Sequence, residues 1–290
     1  MIAFSGNRWP KTTGRLAFRL FSHVQRPPKK RSRPTLNDAA GPKLLQTRSG
    51  VVATWAMPAE RTSGRKALLI HGWKFNAVHM AGIAKTLNKA GIDCVLLDLP
   101  GHGASHGRQL HLGKGIEAID AAWRDQGPFD IVVGHSFGGA IALNAAIGAS
   151  MHVPARAPEK LVLLAAPNSL KALFDGFGRF VGLPQLAQSA MEDRVMAILG
   201  RALETFVASE QLRDYDGSVL VVHDMDDRDV LYADALRMAG AGDHVRLVTT
   251  SGLGHRRILK DEGVQDAIRD HVARPAAAGA TVLKPVDHPA

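Results

Sequence analysis

The feature that most constrains the fold is a serine bracketed by glycines at the end of a short apolar run. Residues 131–140 read IVVGHSFGGA. A buried strand that enters a helix through a single residue forces strained backbone there, so the neighbouring residues must be small. Gly134 and Gly138 meet this requirement and leave the side chain of Ser136 projecting from the turn. The pattern predicts a nucleophile at Ser136, although a Gly-Ser loop between a strand and a helix fits these few residues equally well.

Apolar strands alternate with helical patterns over residues 43–272. An antiparallel hairpin is expected around Ser49 and Gly50, and the later strands are apolar runs at 67–70, 94–97, 131–133, 161–164, 219–222 and 245–249. This alternation predicts an α/β fold, with a mostly parallel sheet of about eight strands flanked by helices. In such sheets ligands bind at the carboxyl ends of the strands.

Residues 168–214 interrupt the alternation with apolar residues at the spacing of short amphipathic helices. Because they follow a strand end directly, we predict that they form a short helical lid over the site. Phe174 and Phe177 of this lid are candidates for lining the substrate. The Pro- and Ala-rich residues 273–290 are predicted to be a disordered tail.

Residues 1–42 are predicted to be a basic leader and linker that precede the domain. Residues 1–50 carry 11 of the 36 Lys and Arg residues but one of the 27 acids, which leaves 25 basic and 26 acidic residues for the rest of the chain. Within the leader, Leu16, Leu20 and Val24 share a helical face, with Arg15 and Arg19 beside it. Such a segment predicts either a peripheral contact with an acidic membrane surface or a helix docked on the body.

The remaining composition narrows the class of protein and its compartment. A body with balanced charge argues against a nucleic-acid groove across the site. No apolar stretch approaches the roughly 20 residues that a membrane-spanning helix needs. The sequence has one cysteine, Cys94, so no disulfide can form within the chain. Cys94 lies in an apolar run, which indicates a buried residue. We therefore expect a cytoplasmic protein and leave its oligomeric state open.

A serine nucleophile needs an adjacent base and a third group that orients the base. His255 lies in the glycine-containing loop after the last predicted strand, where the backbone can bend toward Ser136, although a single histidine at such a place is also typical of an ordinary surface residue. The strand at 219–222 is followed by four acids within six residues. Its spacing favours Asp227 as the orienting acid, with Asp226 as the alternative.

Four motifs occur in a fixed order: HGW at 71–73, DLPGHGAS at 98–105, GHSFG at 134–138 and the loop that holds His255. Together with the order Ser136, Asp227, His255, they resemble the landmarks of the α/β-hydrolase superfamily over roughly residues 44–272. The GLGHRRIL stretch and the basic leader resemble a bacterial subgroup of uncharacterised, esterase-like hydrolases. One departure is Asp224, where relatives usually carry glycine.

The resemblance implies specific roles for residues at two turns. The amides of Trp73 and Phe137 would form an oxyanion hole, which stabilises charge that develops only during attack on the substrate. His71 and His135, next to these turns, are further candidates for lining the substrate.

The resemblance also implies a serine hydrolase that cleaves a carboxylic ester or thioester of a small-molecule acyl substrate through an acyl-enzyme intermediate. We expect no metal and no cofactor, and we interpret the nearby His102, His106 and His111 as loop residues. Two alternatives stay open: a carbon-carbon bond hydrolase with the same triad, and a non-catalytic ligand-binding module on a hydrolase scaffold. A serine at position 136 argues against dehalogenase and epoxide-hydrolase chemistry, which use an aspartate there.

Overall fold

The computed structural model describes residues 8–25, 36 and 41–274. From position 275 onward the predicted tail lies outside the described residues, as does most of the predicted linker. Within the described residues the chain forms eight strands and ten α-helices.

The eight strands form one sheet. They are β1 (Lys43–Thr47), β2 (Gly50–Met57), β3 (Lys66–Ile70), β4 (Asp93–Asp98), β5 (Ile131–His135), β6 (Lys160–Leu164), β7 (Ser218–Asp224) and β8 (Val245–Thr250). Their order across the sheet is β1-β2-β4-β3-β5-β6-β7-β8. Strand β2 pairs antiparallel with β1 and β4, and the other pairs are parallel. The predicted mostly parallel, eight-stranded sheet is confirmed.

Helices connect the strands and cover both faces of the sheet. They are α1 (Pro10–Phe21), α2 (Ala81–Lys89), α3 (Leu112–Gln126), α4 (Phe137–Ala146), α5 (Leu170–Val181), α6 (Gln185–Leu199), α7 (Ala208–Gln211), α8 (Tyr232–Ala239), α9 (Gly254–Arg257) and α10 (Glu262–Ala273). Helix α10 begins at Glu262 because the side chain of Asp261 accepts a hydrogen bond from the amide of Val264 and caps the helix.

The core is divided by the sheet into two apolar layers. Successive side chains of a strand point to opposite faces, so Leu68 and Ile70 of β3 belong to one layer and Ala67 and Leu69 to the other. All four side chains are fully buried. This two-sided burial explains why the central strands have continuous apolar sequences.

The leader helix α1 is docked on the body, against α6 in the predicted lid region. A Cβ at Gly14 would lie 2.7 Å from the carbonyl oxygen of Ala187, so only glycine allows this close approach. Ala17 and Phe18 are buried in the contact, whereas Leu16 and Leu20 are 58% and 50% exposed. The helix therefore docks through a different face from the one predicted by the leucine spacing.

Candidate active site

Ser136 occupies the one-residue connection between β5 and α4. Its φ of 53° and ψ of −125° lie outside the regions that non-glycine residues ordinarily adopt. The neighbouring glycines are required by close packing: a Cβ on Gly134 would lie 2.6 Å from the carbonyl oxygen of Gly138, and a Cβ on Gly138 would overlap the carbonyl oxygen of His71. The predicted strained turn is present, and it holds the serine at the carboxyl edge of the sheet.

Ser136, His255 and Asp227 lie within hydrogen-bonding distance of one another in series. Nε2 of His255 is 2.9 Å from Oγ of Ser136, and Nδ1 of His255 is 2.7 Å from Oδ2 of Asp227. With Nδ1–H donating to the carboxylate, Nε2 is left to accept a hydrogen bond from the serine hydroxyl. The loops after β5, β7 and β8 bring these three predicted residues together.

The carboxylate of Asp227 is buried and well supplied with donors. Its Oδ1 accepts hydrogen bonds from the amides of Asp229 and Val230 at 2.8 and 3.0 Å. Its Oδ2 lies 3.5 Å from Nε2 of His223 as well as near His255. Burial alone would raise the pKa of Asp227, but the hydrogen bonds from His223 and His255 and from the Val230 amide outweigh it and hold the pKa well below its ordinary value. The carboxylate is therefore ionised throughout the neutral range.

Two other acids of this loop, Asp224 and Asp226, position the backbone of the His255 loop. Asp226, the alternative considered from the sequence, accepts a hydrogen bond from the amide of Gly252 at 2.8 Å. Asp224 is fully buried, and its Oδ2 accepts from the hydroxyl of Thr250 at 2.7 Å and from the amide of Leu253 at 3.0 Å. These bonds give the departure at Asp224 a structural role, because they tie the end of β7 to the loop that carries the histidine.

Trp73 and Phe137 lie side by side next to Ser136. Their rings meet edge to face with centroids 5.7 Å apart, and both residues line the same cavity as Ser136. Phe137 is the first residue of α4, so its N–H has no acceptor within the helix. This arrangement leaves that amide suited to donate to a substrate oxygen.

His71 and His135 lie beneath the cavity and do not line it, which corrects their assignment as substrate-lining candidates. Both are fully buried. Nδ1 of His71 is 2.7 Å from the carbonyl oxygen of Gly72 and its Nε2 accepts from the amide of Leu99, which fixes the turn before Trp73. Burial, with the nearby His102, lowers the pKa of His71 well below its usual range, so the ring is neutral.

His135 holds the backbone of the histidine loop. Its Nε2 is 2.9 Å from the carbonyl oxygen of His255, and the two ring centroids are 4.9 Å apart. Burial and the neighbouring His255 lower the pKa of His135 to about 3. A neutral His135 therefore donates from Nε2–H to this carbonyl and acts as a positioning residue.

A cavity of about 360 Å³ opens above Ser136, a size typical of small-molecule sites. Most of its wall is apolar and comes from Phe21, Trp73, Phe75, Phe137, Leu173 and Val230. Lys74, Asp229 and Arg256 supply its charged groups.

The lid phenylalanines predicted to line the substrate stand one layer behind the cavity wall. The rings of Phe174 and Phe177 pack against Phe21 at centroid distances of 4.6 and 5.2 Å, and Phe21 is the ring that faces the cavity. Sequence reasoning missed Phe21, because it lies in α1, beyond a linker from the domain. Sequence reasoning also missed the contact between His223 and Asp227. The position of His223 near the end of an apolar strand is the signal that could have indicated a role at the site.

One group of potential metal ligands is found among the described residues. It consists of Asp227, Asp229 and His255, whose ligand atoms lie within 4.8 Å of one another. Both oxygens of Asp227 are already engaged by protein donors. The same atoms therefore form a hydrogen-bonded chain to Ser136, and this use of the carboxylate competes with metal binding.

Residues 67–288 match the model of the alpha/beta hydrolase family. The chain belongs to this family, which confirms the resemblance drawn from the four motifs.

Several solved structures share the fold. Est1E from Butyrivibrio proteoclasticus with bound ferulic acid matches 80% of this chain and 100% of its own, with a TM-score of 0.60 and 20% identity. An esterase from Pyrococcus furiosus matches 88% of this chain and 99% of its own, with a TM-score of 0.62 and 18% identity. The thioesterase domain from the curacin biosynthetic pathway matches 80% of this chain and 98% of its own, with a TM-score of 0.55 and 16% identity. No curated protein matches the sequence.

The described helices also bear on the relation to membranes. Among the residues that the structure describes, no helix combines the length and the apolar character needed to cross a bilayer.

Proposed function

We propose that this chain is a serine hydrolase that cleaves carboxylic esters or thioesters through an acyl-enzyme intermediate. The observation that carries the proposal is the series of distances from Ser136 Oγ to His255 Nε2 and from His255 Nδ1 to Asp227 Oδ2, 2.9 and 2.7 Å, at the floor of an apolar cavity. A serine, an imidazole and a carboxylate in this series are the groups that acyl transfer needs.

In the proposed reaction, Ser136 Oγ attacks the acyl carbon while its proton passes to Nε2 of His255. The Asp227 carboxylate holds the ring and stabilises the imidazolium. The amides of Trp73 and Phe137 donate to the oxyanion. His255 then returns the proton to the leaving alcohol or thiol, and a water molecule that it activates releases the acid.

The apolar wall of the cavity favours a hydrophobic acyl group, and an aromatic acid bound to the structurally similar Est1E is consistent with this choice. A cytoplasmic location is part of the proposal. It agrees with the buried, free thiol of Cys94, whose pKa is raised to about 12 mainly by burial, so that it is not a competing nucleophile.

Hydrolysis of p-nitrophenyl esters and of the matching acyl thioesters, from acetyl to octanoyl, tests the proposal. We expect the wild type to hydrolyse octanoyl substrates faster than acetyl ones and Ser136→Ala to lose activity on both. Equal activity of the two proteins would contradict the assignment of the nucleophile. A preference for acetyl substrates would contradict only the hydrophobic acyl group.

A further inference from the structure

The docked helix α1 leaves one half of its surface exposed, and that half is amphipathic. Trp9, Leu16 and Leu20 are 61%, 58% and 50% exposed. With 3.6 residues per turn, positions four apart fall on one side of a helix, so Leu16 and Leu20 form an apolar row. Trp9 is the N-cap residue and adds an exposed apolar ring at the start of the helix. Large apolar side chains grouped on a surface mark an interaction site more often than scattered ones do.

A basic row runs beside the apolar one on the same exposed half. Lys11, Arg15 and Arg19 are spaced four residues apart and all are exposed. Arg8 precedes the helix and places its guanidinium 5.5 Å from the ring centre of Trp9. The sequence has nine Lys and Arg residues and no acid among residues 1–37. The partner of this surface must therefore be negatively charged and must also accept apolar side chains.

We propose that this exposed half of α1 docks on an anionic lipid bilayer. A bilayer surface meets both requirements, because anionic headgroups attract the basic row while the headgroup boundary takes up tryptophan and leucine side chains. A nucleic acid would satisfy the basic row but leave the apolar row in water. The proposal concerns this surface alone and does not depend on the proposed hydrolase activity.

Docking in this orientation would bring the cavity close to the lipid. Phe21, on the buried side of the same helix, lines the cavity at Ser136. A helix is about 10 Å across with its side chains, so the lipid surface and the cavity wall would be separated by roughly that thickness.

Co-sedimentation of the full chain with vesicles tests the proposal. The vesicles are phosphatidylcholine alone or phosphatidylcholine mixed with phosphatidylglycerol, and the proteins are the wild type, L16Q/L20Q, R15Q/R19Q and L44Q/L236Q. The last variant removes two leucines of matched exposure, 54% and 52%, on β1 and α8. Because all of the substituted side chains are exposed, thermal melting should show a retained fold in each variant.

We expect the wild type to bind the mixed vesicles and not the neutral ones. A basic residue at an anionic surface contributes about fivefold to binding, so R15Q/R19Q should bind about 30-fold more weakly. L16Q/L20Q should lose about tenfold or more, and L44Q/L236Q should bind like the wild type. No binding of the wild type to the mixed vesicles, equal binding to the neutral ones, or equal binding by all four folded proteins would overturn the proposal.

Discussion

The carboxylate of Asp227 lies 2.7 Å from Nδ1 of His255 and fixes which ring nitrogen carries the proton. The neighbouring Asp226 is exposed and instead accepts a hydrogen bond from the amide of Gly252. Two adjacent aspartates of one loop thus have different structural roles, which makes them a matched pair for mutagenesis.

Replacing Asp227 by Asn should lower kcat by about 10⁴-fold, because the amide favours the wrong tautomer of the histidine. The matched variant Asp226→Asn should stay close to the wild type, because it changes only a hydrogen bond to the backbone. Steady-state hydrolysis of a p-nitrophenyl ester measures both. Similar losses in the two variants would show that the loop as a whole, rather than one carboxylate, is needed.

Phe21→Ala should raise KM for octanoyl esters by about tenfold and leave acetyl esters little affected. The substitution removes an apolar wall of the cavity, and a longer acyl chain loses more contact with that wall. Phe180→Ala is the control, because Phe180 belongs to the same layer of helices but is 88% exposed. The same shift in both variants, or none in Phe21→Ala, would argue against a role of α1 in the cavity.

His111→Asn should make the protein less sensitive to acid. Burial, with the nearby Lys114 and Arg194, lowers the pKa of His111 to about 4, so the unfolded chain binds its proton more tightly than the folded one. The stability that the neutral ring provides is complete above pH 6.5 and is lost as the pH falls. His111 also caps α3 by accepting a hydrogen bond from the amide of Lys114, and asparagine can keep that cap.

Urea unfolding of both proteins at several pH values measures this effect. Relative to His111→Asn, the wild type should lose about 3 kcal/mol of unfolding free energy between pH 7 and pH 4, given a pKa of about 4 in the folded state. A difference that does not change with pH would mean that His111 is protonated equally in the folded and unfolded chains.

Much of the sheet is predictable from sequence because its strands are buried on both faces. Continuous apolar runs such as Ile131–Val133 indicate strands that are buried on both faces. The glycines around Ser136 indicate a tight turn, which the other motifs of the chain distinguish from an ordinary Gly-Ser loop. The fold and the positions of the three loops follow from these local patterns.

Other features depend on contacts between distant segments. The leucine spacing of α1 indicates one face, yet Gly14, Ala17 and Phe18 form the docked face, because small residues allow close approach to α6. His71 and His135 lie next to the predicted turns, but their rings turn inward to backbone carbonyls. Nothing in the local sequence distinguishes a ring that lines a cavity from one that supports it.

Labelling with a fluorophosphonate probe tests the central claim most directly, because the probe reacts with a serine only when a neighbouring base activates it. Wild type, Ser136→Ala and His255→Ala are compared after circular dichroism has shown that each is folded. The account predicts labelling of the wild type and none of either variant. Labelling that persists in Ser136→Ala, or its absence from the folded wild type, would contradict the claim that Ser136 is an activated nucleophile.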